Sequence, residues 1–98
     1  MKVENMLDKT GKAVANQFII TDKVSDDGVG NIGHAFKVFQ SYDFVIVSIN
    51  YSGQVFLDIN KWDYSATTGK YRNEFLGESK KETEKKIKSG EYILTDLN

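Results

Sequence analysis

Gly28, Gly30 and Gly33 stand at the G-x-G-x-x-G spacing that cradles a dinucleotide pyrophosphate. That chemistry needs a helix N-terminus directly after the glycines and an acid about twenty residues on, inside a βαβ unit. Here strand-like His34 to Gln40 follows, and Asp26 and Asp27 precede, where they would repel a phosphate. A loop between strands is the better reading. Asp22, Asp26 and Asp27 lack the alternating ligand spacing and terminal Glu of an EF-hand, so they read as solvated turn residues. His34 is the sole histidine and the chain has no cysteine, which disfavours zinc of the common catalytic kind and leaves a strand-end histidine as the expectation. Thr67-Thr68-Gly69-Lys70 has the letters of a phosphate loop in the wrong order, so helix capping is its expected use. No catalytic set, metal site or cofactor site is expected.

One group stands out as a binding candidate. Trp62, Tyr64, Lys70, Tyr71 and Arg72 cluster in sequence, with Lys61 beside them. Aromatics interleaved with cations stack single-stranded bases, and Trp, Tyr and Arg are also the usual anchors of protein interfaces. Against both, a small domain needs its aromatics inside, and Tyr71 shares a helical stripe with Phe75. Core packing is therefore the first expectation, protein contact the second, nucleic acid the third.

The elements that must carry these residues are legible from local signals. With 98 residues, 40% of them hydrophobic, the chain is expected to form a single domain over 1–98, with 1–15 as a frayed arm and 16–98 as the folded core. Formal net charge is −1, whereas a non-specific nucleic-acid binder carries a basic excess. No apolar run approaches the length of a membrane span or signal peptide. The absence of cysteine favours the cytoplasm.

Strands are expected at 17–21, 34–40, 44–51 and 54–59, the last two as an antiparallel hairpin across Ser52-Gly53. A helix capped by Asp63, Ser65 or Thr67 should run to about Leu76 and stop at Gly77. Ser79-Lys80-Lys81-Glu82 is a capping box opening a second helix, with Glu82–Lys86 and Glu84–Lys88 as four-residue pairs and Ser89-Gly90 as its end. Tyr92 to Leu94 reads as a closing strand. Strands, then helices, then a strand indicate α+β: a mainly antiparallel sheet of three to five strands packed against one or two short C-terminal helices. Phe18, Ile20, Val45, Val47, Ile49, Val55, Leu57, Phe75, Ile87 and Ile93 are the expected core. Exposed sheet edges allow a monomer or a homodimer.

Phe39-Gln40-Ser41-Tyr42, Val55 to Asp58, the block from Trp62 through Arg72-Asn73 to Phe75-Leu76-Gly77-Glu78, and the ending from Lys85 to Asn98 resemble a small family of bacteriophage and plasmid proteins of unknown function. The resemblance spans roughly 16–98. It implies a mobile-element accessory protein in the host bacterial cytoplasm, with no catalytic residues to transfer. The leading expectation is a non-enzymatic protein that binds, and inhibits, a host-defence or replication protein. The alternative is an accessory protein for single-stranded nucleic acid.

Overall fold

The computed structural model describes residues 1–22 and 36–98. His34, the glycine-spaced loop, and Asp26 and Asp27 lie outside the described residues. The elements run β1 (Lys2–Leu7), β2 (Ala13–Thr21), β3 (Lys37–Ser41), β4 (Phe44–Ile49), β5 (Val55–Asp58), α1 (Ala66–Leu76), α2 (Lys80–Ser89) and β6 (Tyr92–Thr95). The class is α+β. One sheet holds the strands in chain order, antiparallel throughout except for a parallel β5–β6 pair. The two helices form the crossover that a parallel pair requires.

Among the described residues the sheet has six strands, one more than expected, because the N-terminal segment is not a frayed arm. Asp8 closes a turn between β1 and β2: its carboxylate accepts from Thr10 N (2.8 Å), Thr10 Oγ1 (2.7 Å) and Lys12 N (3.0 Å). Gly11, at φ 84°, takes the left-handed position.

Cross-strand register sorts the side chains into two faces. Ile19, Phe39, Val47, Leu57 and Leu94 form a row across the helix-covered face. Val3, Ile20, Val38, Ser48, Phe56 and Ile93 form the matching row on the other. A bulge in β4, where Phe39 opposes Val47 and Gln40 opposes Val45, leaves Ile46 as the extra residue. Ile46 and its neighbour Val47 are therefore both fully buried.

Of the expected core, Val47 and Leu57 are fully buried, and Ile49, Val55, Phe75 and Ile87 pack half-buried against them. Phe18, Ile20 and Val45 are half-buried on the opposite face. Ile93 is a correction: it is 40% exposed, because Tyr92 and Leu94 take the inward positions on β6. The core also contains Met6, Phe39 and Tyr92, none of them expected there.

The helices begin and end where local chemistry directs. Ser65 caps α1 by accepting from Thr68 N (3.1 Å). Ser79 and Glu82 close the capping box of α2, and Gly77 and Gly90 end the two helices in left-handed conformations. The pairing along α2 differs from expectation. Glu82 is engaged with Ser79, so Lys86 turns instead to Glu78 (2.9 Å), while Lys80 lies 3.8 Å from Glu84.

Candidate functional site

Helix α1 fully buries Thr68, Gly69 and Arg72 and packs Tyr71, Phe75 and Leu76 half-buried against the core. Thr68 shares a 2.8 Å hydroxyl bond with Ser41 of β3, both residues fully buried. Phe75 stacks on Phe39 at 5.7 Å and supplies the apolar anchor. Docked this way, α1 presents Lys70 and Glu74 outward, and Tyr64 just before its cap.

Arg72, one of the expected binding residues, lies inside the fold. It is 1% exposed and holds the α1 approach from inside. Its Nη1 donates to the Trp62 carbonyl (2.5 Å) and to Asp63 Oδ1 (3.3 Å), and its Nη2 donates to Asn73 Oδ1 (2.9 Å). The guanidinium lies 5.1 Å from the centre of the Trp62 ring. A side chain so engaged fixes the Trp62–Asp63 turn against α1. Asp63 extends the network outward to Lys80 (2.7 Å). Burial opposes the Asp63 charge most strongly, but the bonds from Lys80 and Arg72 together hold the carboxyl below its ordinary range.

Trp62 and Tyr71 are half-buried against the core cluster. Tyr64 is 41% exposed and Lys70 is exposed. The sequence cluster thus divides into an inner brace, Arg72 with Trp62, and an outer surface of Tyr64, Lys70 and the half-buried Tyr71. Two hollows flank that surface. An open groove of about 770 Å³ runs past Asp63, Tyr64, Gly69 and Lys80, and a smaller one of about 350 Å³ lies against Asp8, Lys9 and Thr10. Lys70 and Glu74 line both, so they form the ridge between them.

Sequence reasoning placed Phe44 only in a strand. Its ring meets Tyr64 edge-on at 6.1 Å, and the Lys61 ammonium sits 4.2 Å from the Phe44 centroid and 5.0 Å from that of Tyr64. Nothing local in the chain links residue 44 to residue 64; the fold alone brings them together.

A second polar centre ties the α1–α2 junction to β6. The Glu78 side chain is 3% exposed and accepts from Tyr92 Oη (2.5 Å), Thr83 Oγ1 (2.7 Å) and Lys86 Nζ. Burial and the bond to Glu78 push the Tyr92 phenol up to about 12. Burial is the largest single influence on Glu78 and raises it, yet its three donors outweigh this and leave it below its ordinary 4.5. Among the described residues, no three His, Cys, Asp or Glu side chains gather as a metal site would need.

A model of a family of unknown function, DUF8033, matches residues 1–91. The chain belongs to that family. No curated protein and no solved structure matches it. No helix among the described residues is long and apolar enough to cross a membrane. The match spans nearly all the described elements, from β1 to the end of α2, and so includes both the inner brace and the outer surface of α1.

Proposed function

We propose that this protein is a non-enzymatic binding protein that docks on another protein through the outer face of α1. The observation that carries the reading is the shape and charge of that face. Exposed Tyr64 stands beside a Lys70–Glu74 ridge between two hollows, on a helix braced from within by Arg72. Rigid aromatic anchors set among mixed charges are what protein interfaces use. A single-stranded nucleic acid would favour a groove of one sign. This groove has Asp63 and Glu74 in its wall, and its Lys80 is already paired with Asp63. The resemblance to phage and plasmid proteins adds the setting: an accessory protein of a mobile element, in the bacterial cytoplasm, acting on a host-defence or replication component.

Capture from bacterial lysate tests this. Wild-type protein should retain one stoichiometric partner after nuclease treatment, and Tyr64→Ser with Lys70→Glu should lose it while keeping the wild-type melting temperature. Loss of the partner on nuclease treatment, with a steep decline of oligonucleotide binding in salt, would move the assignment to single-stranded nucleic acid.

A further inference from the structure

The Phe44–Tyr64 corner holds a positive charge of the chain's own, the Lys61 ammonium. The rings meet at 83°, and both centroids lie within the roughly 6 Å at which an aromatic face attracts a cation. Lys61 has no carboxylate within ion-pair distance among the described residues. The two ring faces therefore hold its ammonium without help from a counter-ion. The nearest acid along the chain, Asp63, is engaged by Arg72 and Lys80.

We infer that Phe44 and Tyr64 form a subsite for an arginine side chain of the partner protein, which Lys61 fills until the partner arrives. The inference rests on the proposed docking role and names the chemistry that docking would read. One wall is fixed, since Phe44 packs against the core; the other, Tyr64, is exposed and reachable. An ammonium at an exposed site gains little from such faces, roughly two- to five-fold in occupancy, so it yields readily. A guanidinium is more weakly hydrated than an ammonium and stacks its flat plane on a ring, so arginine is the competitor best able to replace it.

The test follows the Phe44 and Tyr64 ring protons by NMR while N-acetyl-arginine methylamide is added, with sodium chloride at matched ionic strength as control. Saturable shifts are expected in the wild type. The midpoint should fall about two- to five-fold in Lys61→Ala, where the internal competitor is gone, and the Phe44 shifts should vanish in Tyr64→Leu. Shifts equal to those from sodium chloride, or a midpoint unchanged by Lys61→Ala, would overturn the inference. So would ring shifts produced by a thymidine dinucleotide and not by the arginine compound. If arginine does nothing while capture still depends on Tyr64 and Lys70, the docking role stands and this subsite alone is lost.

Discussion

At the scale of single residues, Arg72 carries the most consequence. Its planar fork satisfies a backbone carbonyl, a carboxylate and an amide at once, a geometry that a lysine ammonium cannot reproduce. Arg72→Lys should therefore cost about 3 kcal/mol in urea unfolding. A cost under 1 kcal/mol would show that the brace is not needed. Gln17 makes the opposite case. It is 1% exposed, and among the described residues neither amide atom has a hydrogen-bond partner. Its cross-strand partner Ser41 bonds to Thr68 on the helix side, so Gln17 faces the same layer. An orphaned buried amide is a liability, and Gln17→Leu should raise stability by about 1 kcal/mol. A comparable loss would reveal a satisfied amide. Neither role was readable from the sequence. Which carbonyl an arginine reaches, and whether a glutamine is shut in, depend on contacts between distant segments.

At the scale of elements, much was legible, because caps and turns are written within a few residues of themselves. Ser65, Gly77, the Ser79–Glu82 box and Gly90 all act as local chemistry dictates. Ser79→Ala should cost about 1 kcal/mol, measured as a lowered melting temperature and increased amide exchange in the first turn of α2. The β1–β2 hairpin was equally local in its signals, Asp8 and Gly11, yet its exposed, weakly apolar strand resembles an unstructured arm. The bulge at Ile46 was not legible: alternation predicts one inward residue there and the structure buries two in succession.

The junction of α1, α2 and β6 responds to pH at both ends of the range. Glu78 is held below its ordinary value, so its contribution is present above 4.5 and is lost as pH falls through the depressed value. Tyr92 is pushed up from 10.0 to about 12, so folding favours its neutral form; that contribution is complete below 10 and fades as pH rises towards 12. The Lys86 ammonium, raised by its bond to Glu78, loses its contribution as pH climbs past 10.5. Tyr92→Phe should therefore flatten the decline in melting temperature between pH 10 and 12 and, by removing one of the three donors to Glu78, also weaken the acid limb. An unaltered alkaline limb would place its origin elsewhere.

At the scale of the whole molecule, the α+β class follows from the order of patterns, whereas the parallel placement of β6 beside β5 is a long-range choice that no local motif announces. The same holds for the surface. The cluster from Trp62 to Arg72 looks like one site in the sequence, and the fold divides it into an inner brace and an outer surface, adding Phe44 from β4. The opposite face of the sheet, with Ile93 exposed, is the natural control. The most direct measurement places a photo-crosslinking residue at Lys70 in one version of the protein and at Ile93 in another, then irradiates both in bacterial cells. If the outer face of α1 is the docking surface, position 70 yields one discrete protein adduct and position 93 yields none. An adduct from position 93 alone, or equal adducts from both, would contradict it.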